Sequence, residues 1–444
     1  MGIFNNFFQL NKKTKFHFSD EPPIFFGRYS DSNKTKLQYE HWNKSLNYYK
    51  DKKYLEAYWH FFKYLEDKTI KNVLFNRENN KINFKIFQGS KVVSGLLNFQ
   101  EIYAEAEVVS FDEINEAVML KLLHENNSLN YSKFVIKNNV YSIKYFSQLE
   151  DVNPQSLYFA LKELATKADM FDDVLTEKFN CVHPINMEHV LELPIEEKKV
   201  KLKYFRIWIE ETIRKIEKTD TKQKADIISY TLLNFLFKTH YLLAPEGTLL
   251  DNIRNLQKSF FAKDGFNQKE KNRFLLEGVK GINKKTDAEI MKSLYKVEFT
   301  FAEHPLTNID IVNGFFADEL DKVQACINNN EIDDALEICR YILVYSAFTF
   351  RLPAVASNLV QIIWQVFYPV YFKELGFVDE YFINNTGELN IELIKAKIEK
   401  NIINAKKQHT NLKFNTQNIE FSDKLTFVIS FYKEFRNLAL ESNK

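Results

Sequence analysis

The sequence predicts an α+β domain near the N-terminus, an antiparallel sheet with helices, followed by an all-α region. Three observations carry this. The hydrophobic period switches from about 3.6 to 2 and back within residues 34–180. From Ile195 almost to the end, the helical period returns and persists. The 444 residues contain only 11 glycines and 9 prolines, against usage of roughly 7% and 5%. That scarcity disfavours Gly-rich cofactor loops, large β-sandwiches and long flexible linkers. The expected organisation is an N-terminal segment (1–33), a helical hairpin with the α+β domain (34–180), and a helical domain (190–444).

The first segment lacks the basic start, long apolar stretch and small-residue site of a signal peptide. Ile3, Phe4, Phe7, Phe8 and Leu10 fit a short amphipathic helix docked on the rest. A hairpin follows. Trp42, Leu46 and Tyr49 recur at i, i+4, i+7, and Tyr54, Ala57, Tyr58, Phe61, Phe62 and Leu65 form a second stripe beyond the polar Lys50-Asp51-Lys52 turn. Strands are expected around Val73–Phe75, Ile82–Ile86, Val92–Leu97 and Glu101–Val109. In the last, Ile102, Ala104, Ala106 and Val108 alternate with Glu101, Tyr103, Glu105 and Glu107, the pattern of an antiparallel meander with one buried and one wet face. Asp112 would cap the next helix, with Ile114, Val118, Leu122, Met119 and Leu123 facing inward. The pair Asn138-Asn139 reads as a two-residue turn between strands 132–137 and 140–146. A long helix opens at Asn153-Pro154, where the missing proline N–H costs nothing. It carries Leu157, Leu161, Leu164, Ala168, Phe171 and Leu175 inward.

The stretch VMLKLLHENNSLNYSKFVIKNNVYSIKY, then NPQSLYFALKELATKADMFDDVL, spans 118–175. In words and element order it resembles the YbjN-like family, which shares its fold with class I type III secretion chaperones. The likeness covers residues 35–180. It implies a small α+β domain that binds protein, often self-associates and has no chemistry of its own. The preceding hairpin and the helical C-terminal half depart from that pattern.

Past the connector 181–194, helices are expected at 195–217, 222–242, 246–262, 267–279, 285–296, 308–329, 332–347, 354–374, 389–407 and 421–440, with one strand-like run at Val297–Phe301. The most apolar stretch, Leu359–Phe372, falls short of the roughly 20 residues of a membrane span and contains Gln361 and Gln365.

Sixty basic residues nearly cancel fifty-nine acidic ones, and no region carries the basic excess of a nucleic-acid binder. The three dispersed cysteines fit a reducing compartment, so a cytoplasmic protein is expected. Neither GxxxxGK[ST], GxGxxG nor GxSxG occurs. Cys181, His183 and His189 cluster, but at a spacing that matches no zinc site. Asp169, Asp172 and Asp173 share a helical face and read as a solvated helix end. No cofactor or metal is expected.

The reading that remains is a non-enzymatic protein-binding or chaperone-like factor. Its candidate surface is aromatic: Trp42, Tyr49, Tyr58, Trp59 and Phe62 exceed what one buried stripe uses. Either the hairpin is sandwiched, which is simpler, or it leaves a groove for a partner. Tyr103 and Glu105 on the wet sheet face add an acidic, Tyr-bearing surface for a basic partner. A homodimer is implied by the resemblance. The rivals are an enzyme with its site in the helical half, using His240, Tyr241, Glu246, Glu303 and His304, and a scaffold component of a larger assembly.

Overall fold

The computed structural model describes residues 21–438 apart from 25, 28–33, 69, 221–222, 303–307, 351, 353, 384–386 and 408–411. The segment with Ile3–Leu10 and the pair Glu303 and His304 lie outside the described residues. Among the described residues the chain forms two compact units, one from 26 to 354 and the other of 21–24 and 355–438. They part near residue 355 rather than between 180 and 190, because the sheet and the helices up to Thr349 belong to one body.

Helices α1 (Lys36–Lys50) and α2 (Tyr54–Leu65) make the hairpin, with a Thr35/Gln38 capping box opening the first. Four strands follow as a meander: β1 (Val73–Glu78), β2 (Lys81–Gly89), β3 (Lys91–Leu97) and β4 (Glu101–Phe111). Next come α3 (Glu116–Asn126), β5 (Lys133–Lys137), β6 (Val140–Gln148) and the long α4 (Pro154–Lys178). The sheet order is β1-β2-β3-β4-β6-β5. Asn138 and Asn139 both adopt positive φ in the β5–β6 turn, as their pairing requires. Asn153 caps α4 with Pro154 in its first turn.

Two local expectations differ. Asn115, not Asp112, caps α3, and Ile114 and Leu123 are exposed while Val118 and Leu122 are buried. The helix starts three residues later, so Ile114 precedes it, and its inward stripe narrows to Val118 and Leu122. In β4 a bulge between Glu107 and Val109 breaks the alternation, and Val108 and Val109 are both buried.

The sheet's inner face packs on α4 and the hairpin. Phe84 lies opposite Gly95, where a Cβ would sit 2.1 Å from its ring, and its ring centre is 4.6 Å from that of Phe62 in a tilted pair. Gly95 is therefore a packing requirement. Glu163 on α4 accepts the backbone N–H groups of Asn130, Tyr131 and Ser132 at 2.8–2.9 Å. Burial raises the Glu163 carboxyl's pKa, but those bonds outweigh it and hold the group below its ordinary value.

The connector contributes β7 (Val182–Pro184), which pairs with β4, and β8 (Leu191–Glu192). Helices α5 (Ile195–Lys218), α6 (Ala225–Lys238), α7 (Gly247–Phe261), α8 (Gln268–Asn283) and α9 (Asp287–Lys292) follow near their expected places. Beyond β9 (Tyr295–Lys296), which pairs with β8, β10 (Glu298–Phe299) lies within the expected strand-like run and joins the sheet against β2. Thr300 extends that junction, its hydroxyl donating to Phe87 O at 2.8 Å. Helices α10 (Ile309–Asn328) and α11 (Ile332–Thr349) complete this unit. The other unit holds α12 (Ala354–Phe367), α13 (Pro369–Glu374), α14 (Ile391–Lys406) and α15 (Lys424–Arg436). Pro369 splits the expected helix 354–374 in two. Among the described residues, no helix is long and apolar enough to cross a membrane.

Candidate functional site

The hairpin aromatics are spent on packing. Tyr58 and Phe62 are fully buried, and the Tyr58 hydroxyl donates to Val152 O. Trp59 stands edge-on to Phe75 of β1 at 4.8 Å, Trp42 leans on Tyr64 at 4.8 Å, and Tyr49 donates to Glu150 O at 2.7 Å. The hairpin is sandwiched, and among its predicted binding residues Tyr58 and Phe62 are core. The second apolar face of α2 exists to meet α1 and the sheet edge. The hairpin also holds a histidine pair that the sequence reading missed: His41 Nδ1 and His60 Nδ1 lie 2.7 Å apart, and Tyr48 stacks on His60. Burial, with Lys63 and Lys44 close by, lowers the His41 pKa; burial and His41 itself lower that of His60.

Tyr103 and Glu105 are on the sheet's outer face. Cross-strand register sets three rows there. One runs Asn83, Leu96, Tyr103, Phe146; the next Leu74, Lys85, Ser94, Glu105, Lys144; the third joins Phe87 to Val92. Leu74 is 48% exposed and Phe146 57%, so this face is more apolar than a solvated face needs to be. Part of it is a cleft of about 660 Å³, floored by Leu74, Phe87, Val92, Leu96, Tyr103 and Glu105 and walled by the connector residues Asn186, Glu188 and His189.

Within it Tyr103 donates to Glu105, which also pairs with Lys144 at 3.2 Å. Burial raises the Glu105 pKa, but the hydrogen bonds from Tyr103, Ser142 and Lys144 more than offset it, so the group stays a carboxylate. The Lys144 ammonium lies 5.7 Å from the Tyr103 ring centre.

The connector wall is clamped from below. Lys91 donates to Ile185 O at 3.0 Å, Asn186 to Glu107 at 2.7 Å, and His189 Nε2 lies 3.1 Å from Gly89 O. The β2–β3 turn that provides Gly89 and Lys91 is itself seated on α4. Ser90 N donates to Asp169 Oδ1 at 2.8 Å, Ser90 Oγ to Asp172 Oδ2 at 2.7 Å, and Lys91 Nζ is 3.1 Å from Asp172 Oδ1. Gly89 has φ +58°, and a Cβ there would lie 1.9 Å from the Asp169 carboxylate. Only glycine admits that approach.

The expected solvated acids of α4 are thus the opposite. Asp169 and Asp172 are buried, and Asp173 faces the start of α7, 3.7 Å from where a Gly247 Cβ would be. Burial, with Glu246 and Asp172 nearby, pushes the Asp169 carboxyl up to about 7 despite Arg254. Burial and its acidic neighbours also raise Asp173. Burial raises Asp172, against the pull of Lys91. The reason for the difference is α7, which covers this end of α4 from nearly eighty residues further along the chain. The sequence signal was the i, i+3, i+4 spacing itself, which showed a shared face but not what covers it.

Cys181, His183 and His189 do not converge: His183 Nε2 is bonded to Asp112 at 2.7 Å, while His189 turns to Gly89. Among the described residues, no group of three or more His, Cys, Asp or Glu is placed to hold a metal ion. Of the rival site, His240 is fully buried, its ring 4.3 Å from Phe348 and its Nδ1 3.3 Å from Gln257 Oε1. Burial pushes the Tyr241 hydroxyl up to about 12. No protein-family model matches the chain, and no curated protein matches it.

Proposed function

We propose that this chain is a non-enzymatic, chaperone-like protein-binding factor of the cytoplasm, and that its partner docks on the outer face of the sheet. The observation that carries the reading is the preformed cleft over β2–β4. Its floor exposes Leu74, Leu96 and Tyr103, and its wall is held by hydrogen bonds rooted in a buried network. A sheet face serving only to meet water has no use for an apolar row or a clamped wall. The resemblance of residues 35–180 to the YbjN-like family supports protein binding in this module, and the three free cysteines suit a reducing compartment.

Affinity capture from the native cell tests this, comparing the wild type with L96D/F146D, which charges the apolar row without touching the core. A partner held by the wild type and lost by the variant is expected. Self-association would register in the same capture as an untagged copy of the chain. If both forms retain the same proteins, the outer face is not the docking surface and the proposal fails.

A further inference from the structure

Resting on that reading, the structure further assigns the partner's chemistry: we infer that the cleft takes a basic, partly apolar segment whose Arg or Lys side chain enters between Glu107 and Glu188. The lining is unbalanced. Three carboxylates, Glu105, Glu107 and Glu188, face one ammonium, Lys85. Glu105 is already matched by Lys144 at 3.2 Å. Glu107 is not: it accepts from the neutral Asn186 amide at 2.7 Å. Glu188 is exposed, and among the described residues no cation pairs with either. Lys85 sits on β2, two strands from Glu105 across Ser94, a separation of about 10 Å.

The acidic end is also aromatic and apolar. Phe87 and Val92 form the adjoining row, and the His189 ring packs 5.3 Å from Phe87. The cleft shows how it treats a cation, because Lys144 lies over the Tyr103 ring while pairing with Glu105. A guanidinium or ammonium from a partner would meet the Glu107 carboxylate one step along β4, with Val92 on the neighbouring strand and the Phe87 and His189 rings beyond it. Its apolar neighbour would rest on Leu96 and Leu74. Because Asn186 and His189 are tied to Glu107 and Gly89, the wall is in place before the partner arrives, so binding needs little ordering of this chain.

The probes are three fluorescein-labelled peptides of equal length, alternating leucine with arginine, glutamate or serine. Fluorescence anisotropy at constant salt compares wild type, E107Q/E188Q and the control E113Q/E116Q, which removes two exposed carboxylates at the start of α3. The Leu/Arg peptide should bind wild type and control about tenfold more tightly than Leu/Ser, with E107Q/E188Q reducing that preference to about threefold or less. The substituted side chains are outside the core, and matching circular dichroism would confirm that each variant folds.

Equal binding of Leu/Arg and Leu/Ser, or a preference that survives E107Q/E188Q, overturns the assignment. Loss of the preference in the control as well would reduce it to nonspecific charge and overturn it equally. Since L96D/F146D is read in the native capture and not here, a basic preference that fails leaves protein binding at this face standing or falling on its own test.

Discussion

Replacing Gly89 by alanine should be among the most damaging single-methyl changes in the larger unit. Two costs add. At φ +58° an L-residue is strained by roughly 1–2 kcal/mol. The new Cβ would also lie 1.9 Å from Asp169 Oδ1, displacing the carboxylate that accepts the Ser90 N–H at 2.8 Å. A buried hydrogen bond broken with one partner left unsatisfied costs about 1–3 kcal/mol. The sum is a destabilisation of about 2–5 kcal/mol. Gly265 provides the control: it too has positive φ, +83°, but nothing lies within 4 Å of its virtual Cβ, so Gly265→Ala carries the backbone cost alone.

Urea unfolding followed by tryptophan emission reads both variants, since Trp42, Trp59 and Trp208 belong to this unit. Asp169→Ala completes the comparison, because in that background Gly89→Ala should cost only the backbone strain. The reasoning is refuted if Gly89→Ala is no worse than Gly265→Ala, or if its cost is the same with and without the Asp169 side chain.

Two further outcomes follow from the same network. Lys91→Met strips a lysine of zero exposure from Asp172 and from Ile185 O, and should cost about 3–5 kcal/mol by leaving a buried charge unmatched. Lys91→Met/Asp172→Asn should recover most of it, and equal urea midpoints for single and double variants would contradict the pairing. Asp169, raised from 3.8 to about 7 in the folded state, retains its proton where the unfolded chain has lost it. Its contribution is therefore complete below about pH 4 and is lost as pH rises to 7, at about 1.4 kcal/mol per pH unit for each proton. Asp169→Asn, which keeps the acceptor for Ser90, should flatten that slope in urea midpoints measured between pH 5 and 7. Asp172 and Asp173, also raised by burial, and the lowered His41 and His60 add slopes of their own to both forms, so the test is the difference between wild type and Asp169→Asn; buried Lys238, lowered to about 7, acts above that pH.

Much of the fold was legible because it is local. The alternation in Ile82–Ile86 and Ile102–Val108, the Asn138-Asn139 turn and the Asn153-Pro154 start each follow from backbone preference within a few residues. So did the helical periods from Ile195 onward, and even the short strand near Val297–Phe301. The outward position of Tyr103, Glu105 and Glu107 was also readable, since a strand's period of two sets its faces without reference to anything distant.

The buried state of Asp169 and Asp172 was not readable. Spacing places them on one face of α4, but α7 and the β2–β3 turn arrive from distant sequence to cover that face, and burial then reverses their electrostatics. The same holds for the hairpin. An aromatic excess in Tyr54–Leu65 is visible in the sequence, but whether Trp59 meets a partner or Phe75 depends on where the sheet edge lies. By itself, then, the sequence determined the element string and the faces of most elements, α3 and the bulged end of β4 excepted, because local sterics and periodicity dictate them. Only tertiary structure decided which faces meet. That decision buried Tyr58 and Phe62, turned the acids of α4 into a clamp, and left Tyr103 and Glu105 in an open cleft.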